Sequence, residues 1–183
     1  MERYLPGLTK LLFTLPSHQP ICYLVILFNI CLSITIIILS WNVGLIVNII
    51  LKKRAVYSTL TRFNFISSDK INAVIGVKLF KLFLVKSFWR KLNPTLNIKQ
   101  ANLDALVRLR NEIISSEIIH LAAFITILLL LGVIEIANFR PQLFWPLAVI
   151  NIITNLYPVL VQQYNKRRII KMIRVFSNQK YNG

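Results

Sequence analysis

Glu117 and His120 stand three residues apart inside a strongly apolar stretch, and they are the pair best suited to chemistry in this chain. On a helix that spacing puts both on one face. Ionisable groups within a membrane span are costly and usually face a site or a partner helix. A histidine at a half-dry boundary can take a proton from a hydroxyl, while a nearby carboxylate fixes its tautomer and stabilises the imidazolium. Amide and cationic donors can hold a developing oxyanion. The plainer alternative is a structural pair that seals two helices, and spacing alone does not choose between them. Glu135 shares the face but lies about 27 Å further along the axis, where it reads as a boundary residue.

Other catalytic templates fail. There is no Gly-x-Ser-x-Gly elbow and no His-Glu-x-x-His. One usable histidine with one glutamate cannot make a catalytic zinc site, so no metal and no cofactor are expected. His18 falls in a proline-rich start and reads as a solvated loop residue. Cys22 and Cys31 are nine residues apart, about 13 Å on a helix and on opposite faces. That is beyond disulfide reach, and buried free thiols are expected.

Two polar stripes extend the picture. Asn151, Asn155, Pro158 and Gln162 agree in helical angle to within about 60°. Asn29, Ser33 and Ser40 repeat the idea nearer the N-terminus. Such stripes usually join helices by hydrogen bonds. If the chain turns back at Arg140, facing residue numbers sum to roughly 280, which sets His120 level with Leu160 and Glu117 level with Gln163. Glu117 and His120 are then expected to meet Tyr157, Gln162 and Tyr164, with Asn155 a turn above near Phe124, and Asn165, Lys166 and Arg168 just below.

The elements that position these groups are membrane spans. Hydrophobic residues make up 56% of the chain and mean hydropathy is +0.63, more apolar than a soluble domain of 183 residues. The fold expected is an all-α integral membrane protein of one domain, 1–183. Three spans are read at about 21–42, 113–137 and 143–164. Residues Ile21–Leu51 carry no charge, so the first helix either tilts or leaves the hydrocarbon near Ser40–Gly44. The loop Asn138–Gln142 joins the second and third spans as a hairpin. Residues 102–112 read as a polar helical lead-in, and Ser67-Ser68-Asp69 as a helix start. In 71–90, Lys78, Lys81 and Lys86 fall within an arc of about 140°, which predicts a basic amphipathic interfacial helix, or a re-entrant one, ending at Asn93-Pro94.

The net charge of +16 comes in blocks between apolar runs. Such blocks orient spans and attract anionic headgroups, so nucleic acid is not the expected partner. Lys52-Lys53-Arg54 and Lys166–Arg174 outweigh Arg3 and Lys10, which predicts the N-terminus outside, the C-terminus cytoplasmic, and the cell membrane as location.

Glu117-x-x-His120, a hydrophobic hairpin, then Asn155-Leu156-Tyr157-Pro158-x-x-x-Gln162-Gln163-Tyr164-Asn165-Lys166-Arg167-Arg168 resembles the glycosyl-4,4'-diaponeurosporenoate acyltransferase family, small bacterial membrane proteins of staphyloxanthin biosynthesis. Lys86-x-x-Trp89-Arg90-Lys91-Leu92-Asn93 resembles the stretch before the hairpin in that family, and the correspondence is clearest over 86–175. The family usually reads Gln-Arg-Tyr-Asn-Arg-Pro-Arg at the end. Here Gln163 replaces that first Arg and Lys166-Arg167 replaces Arg-Pro, which bears on how an anionic group is held.

The resemblance implies transfer of a fatty acyl group onto a sugar hydroxyl of a glycosylated carotenoid or related glycolipid. His120 and Glu117 are the catalytic candidates, with His120 as base and Glu117 orienting it. Asn155, Gln162, Tyr164, Asn165 and Arg168 are the substrate-binding candidates. Lys166, Arg167 and Arg168 would attract an acidic acyl donor, an acyl-CoA or an acyl carrier. The partners expected are membrane lipid, that donor and a glycosylated carotenoid acceptor, with oligomerisation left open. The alternative from another class is a non-catalytic membrane scaffold or accessory subunit of a lipid-modifying complex. A small transporter is a weaker third reading, since three spans offer few walls for a polar pathway.

Overall fold

The computed structural model describes residues 19–66, 68–86 and 102–181, which form helices and connecting turns with no strand among them. The helices are α1 (Gln19–Lys52), α2 (Val56–Arg62), α3 (Asp69–Val74), α4 (Val77–Lys86), α5 (Leu103–Ile136), α6 (Pro141–Asn151) and α7 (Tyr157–Tyr181), with a π-helical turn, Ile152–Leu156, between the last two. α1, α5 and the α6–π–α7 rod are each long and apolar enough to cross a membrane. The chain is therefore an all-α, multi-pass membrane protein.

α1 is unbroken through Ser40–Gly44, about 51 Å for its 34 residues. Its outward face is aliphatic: Leu24 is 69% exposed and Leu39 60%. The buried stripe is small and polar apart from Ile37, and comprises Asn29, Ser33, Ile37, Ser40, Gly44 and Asn48. This inside-out distribution suits a lipid solvent, where small residues let backbones approach. Asn29, Ser33 and Ser40 do not join helices as expected. Each donates to a carbonyl of its own helix, at Val25, Asn29 and Ile37 respectively, which satisfies the group locally. Neither cysteine is buried as expected: Cys22 is half-buried and Cys31 faces outward, both as free thiols.

Asn102 caps α5, its side chain accepting from the Ala105 N–H at 2.7 Å. The lead-in 102–112 and the second span thus form one helix, since nothing between them interrupts the ladder. At the hairpin, Asn138 and Arg140 take left-handed conformations (φ 48° and 47°), and Pro141 opens α6. Downstream, Pro158 lacks an N–H and its ring would strike the Thr154 carbonyl of a regular helix. The backbone widens just before it, and the Tyr157 N–H bonds Ile152 O, five residues back.

The expected helix over 71–90 is instead two. Ser68 caps α3, and the chain breaks at Gly76, whose φ of 78° suits glycine, before α4 begins. Residues 1–18, with His18, and 87–101, with Trp89 and Asn93-Pro94, lie outside the described residues. Val77 of α4 is fully buried against Leu160 and Val161, whereas Leu79 is 72% exposed.

Two apolar layers hold the bundle. Ile37, Ile127, Leu131, Ile134, Leu143 and Leu147 fill the hairpin end, and Leu106, Leu109, Ile113 and Ile169 the opposite end. Between them α5 carries Ser115, Ser116, Glu117 and His120. α1 meets this level at Gly44, where an added Cβ would stand 2.3 Å from Ile119 O. A backbone oxygen cannot yield as a side chain can. Gly44→Ala is expected to cost about 1–3 kcal/mol by overpacking and to lower the unfolding temperature of the detergent-solubilised protein. Gly132→Ala, which meets nothing within 4 Å, should leave it near wild type. Equal melting of the two variants would contradict the close crossing.

Candidate functional site: a polar layer inside the bundle

The hairpin register follows from the turn at Arg140, and the pairs it makes sum close to the expected number. Glu117 meets Gln163 and Lys166, Ser116 meets Gln162, and His120 meets Asn155. These contacts fall into three groups rather than one cluster.

The first group holds His120. Its Nδ1 lies 3.3 Å from Asn155 Oδ1, and the same oxygen accepts the Trp41 indole N–H at 2.9 Å. The Asn155 amide nitrogen donates to Asn151 Oδ1 at 2.8 Å, and Asn151 in turn donates to the Phe124 carbonyl at 3.3 Å. The two ends of this chain are unambiguous, because an indole only donates and a backbone carbonyl only accepts. Asn155 must therefore turn its oxygen toward His120, which makes Nδ1 the protonated nitrogen and leaves the Nε2 lone pair free. Among the described residues nothing hydrogen-bonds Nε2. Trp41 stands edge-on to the imidazole, with ring centroids 6.0 Å apart. Asn155 is fully buried.

The second group holds Glu117, which does not bond His120. Its carboxylate accepts from Lys166 Nζ at 2.6 Å and from Gln163 Nε2 at 2.9 Å. Lys166 is fully buried and also donates to Phe63 O at 2.9 Å, while Gln163 Oε1 accepts the Phe65 N–H at 2.8 Å. Arg167 donates to Ile66 O. The pair thus pins residues 63–66 to α5 and α7, and Lys166, buried against Glu117, is not free to attract a donor from water. Asn48 of α1 donates to Ser115 at 2.7 Å and closes the same level from the other side.

The third group lies on the face of α7 turned toward α4. Lys81, Arg167 and Arg168 approach the Tyr164 ring at 5.2, 5.8 and 6.0 Å, and Lys81 donates to Asn165 Oδ1 at 2.7 Å. Burial, then the Arg168 charge, holds Lys81 below the ordinary lysine range, so rising pH removes the Lys81 charge from this rim and leaves its arginines charged. Tyr157, expected beside His120, belongs on this side instead: its hydroxyl donates to Ile75 O at 3.0 Å and its ring packs on Phe80.

Among the seven candidates, His120 and Asn155 come together, as do Tyr164, Asn165 and Arg168. Glu117 and Gln162 sit between with other partners. Trp41 and Ser116 were missed. The one available signal for Trp41 was that an indole N–H in a charge-free run needs an acceptor.

Removing one member of a buried ion pair leaves the other uncompensated. Glu117→Ala or Lys166→Met alone should destabilise the protein by about 3–5 kcal/mol. The double change should recover part of that loss in thermal unfolding. Additive losses would mean that the two groups do not pair.

The family described as glycosyl-4,4'-diaponeurosporenoate acyltransferase matches residues 52–175, starting well upstream of 86 and taking in α2 to α4. No curated protein and no solved structure matches the chain. With more than half of the 183 residues covered, from the basic end of α1 through most of α7, the chain belongs to the glycosyl-4,4'-diaponeurosporenoate acyltransferase family.

Proposed function

We propose that this protein is a membrane O-acyltransferase that moves a fatty acyl group from a thioester donor to a sugar hydroxyl of a glycosylated carotenoid or related glycolipid. The observation that carries the reading is the free Nε2 of a histidine whose tautomer is fixed by Trp41 and Asn155. Nε2 takes the hydroxyl proton as the sugar oxygen attacks the acyl carbonyl carbon. A C–O bond forms, the C–S bond breaks as the tetrahedral intermediate collapses, and the imidazolium returns its proton to the departing thiolate. Asn155 acts as a positioning residue, because its amide is already spent on protein partners. Glu117 acts through the ion pair with Lys166 that holds the layer together, rather than by orienting the base. Tyr164, Asn165 and Arg168, with Lys81, form a basic rim where an acceptor headgroup would rest.

The basic ends of α1 and α7 and the start of α5 lie together, and we assign that end to the cytoplasm of the cell membrane, which leaves the Arg140 hairpin outside. Acyl donors made in the cytoplasm would then reach His120 from the side on which the cations lie.

His120→Gln should remove acylated product, with a rate loss of about 10²–10⁴-fold. Asn155→Ala should give a smaller loss by freeing the tautomer. Both are read as acylated glycolipid by mass spectrometry of cells that supply the glycosylated acceptor, alongside the thermal stability of each purified variant. A stably folded His120→Gln protein that still gives wild-type product would end the general-base assignment and favour the scaffold alternative.

A further inference from the structure

A cavity of about 790 Å³ opens at the basic end of the bundle, lined by Lys52, Tyr57, Arg62, Asn64, Arg110, Asn111, Ile114 and Ile170. It brings together the end of α1, the short helix α2 with the residue two beyond it, the first turns of α5 and the middle of α7. Three cations face it and, among the described residues, no carboxylate lines it. The Glu117 carboxylate is taken by Lys166 and pairs with none of these three cations. Arg110 is held in place by its neighbour Asn111, whose Oδ1 accepts from Nη2 at 3.1 Å. The Tyr57 phenol is an O–H donor at neutral pH, and burial raises its pKa further.

Two buried acceptors near this cavity find no donor. Asn64 Oδ1 is one, on the wall itself. Asn48 Oδ1 is the other, on a side chain 4% exposed, one helical turn before Lys52. A buried carbonyl oxygen without a donor costs free energy unless a ligand or water supplies one. Cations, a phenol O–H, amides and orphaned acceptors suit an anion that also carries hydroxyl groups.

We propose that this cavity is a phosphate-binding site that holds the head of the acyl donor. The proposal deepens the acyltransferase reading and rests on it for the identity of the ligand. Of Lys166, Arg167 and Arg168, which the sequence offered for this task, Lys166 is committed to Glu117, Arg167 bonds the Ile66 carbonyl and Arg168 lies by the Tyr164 ring, whereas Lys52, Arg62 and Arg110 line the cavity. The spacing fits a long arm. Ile114 and Arg110 lie six and ten residues before His120 on α5, about 9 and 15 Å along the axis. A donor whose phosphate sits several bonds from its thioester, as in acyl thioesters of phosphorylated carriers, can place one group in the cavity and the other beside Nε2. A phospholipid, whose phosphate and acyl esters share one glycerol, offers the same phosphate without that reach.

The test is binding to the full-length protein in nanodiscs of zwitterionic lipid. Coenzyme A and inorganic pyrophosphate are titrated as soluble probes, and phosphatidylglycerol is supplied to a parallel set. Coenzyme A should bind the wild type and the His120→Gln variant alike. Arg62→Gln/Arg110→Gln should weaken it at least about tenfold, and Arg110→Lys should restore part of that loss. Arg174→Gln, on the exposed face of α7, should bind as wild type and controls for bulk charge. Coenzyme A affinity within about twofold of wild type in the double variant, confirmed helical and folded, would overturn the site. Capture of phosphatidylglycerol alone, lost in the double variant, would overturn the assignment to the donor arm. Because binding is read without turnover, failure of this site is separable from failure of His120 as a base.

Discussion

A lysine ammonium with no access to water holds the basic half of this molecule together. Lys166 ends in a shell made by the Glu117 carboxylate and the Phe63 carbonyl, which belong to two other segments of the chain. A buried charge is tolerated only when paired and hydrogen-bonded, so the position of Lys166 dictates where α5 and residues 63–66 must lie. Gln163 repeats the logic one turn earlier with a neutral group that both donates and accepts, giving to Glu117 and receiving from Phe65. An arginine, which only donates, could not take the Phe65 N–H. The docking of the 63–66 segment therefore runs through the side-chain carbonyl of Gln163.

What that docking achieves is felt on both sides. It fixes the depth at which α7 meets α5, which brings Asn155 level with His120. It also tethers the C-terminal end of α2, and so the positions of Arg62 and Asn64 on the cavity wall. The imidazole layer and the cationic cavity are thus two levels of one framework. α1 completes both, with Trp41 at the upper level and Lys52 at the lower.

The π turn before Pro158 is the other device. It resolves a steric conflict that proline would impose on a regular helix, and it shifts the phase of everything downstream. Residues 151 and 155 keep their side toward α5. Beyond the turn Gln163 and Lys166 face Glu117, while Tyr157 turns to the Ile75 carbonyl and the Phe80 ring.

The sequence by itself determined the solvent and the coarse frame. Uninterrupted apolar runs, charge blocks at their ends and a proline-marked loop at Arg140 are properties of contiguous residues, and they suffice for three spans and a hairpin whose pairs sum near 280. They also sufficed for the family, through the spacing of Glu117, His120 and the residues after Asn155. Only the tertiary structure decided who bonds whom. Glu117 and His120 share a helix face, but a carboxylate takes the strongest donor within reach, and that donor came from α7. The reach of Trp41 across the bundle and the gathering of Lys52, Arg62 and Arg110 around one cavity join residues 10 to 114 positions apart. Local periodicity carries no information about such pairings, because they are chosen by which buried polar groups still lack a partner once the helices have packed.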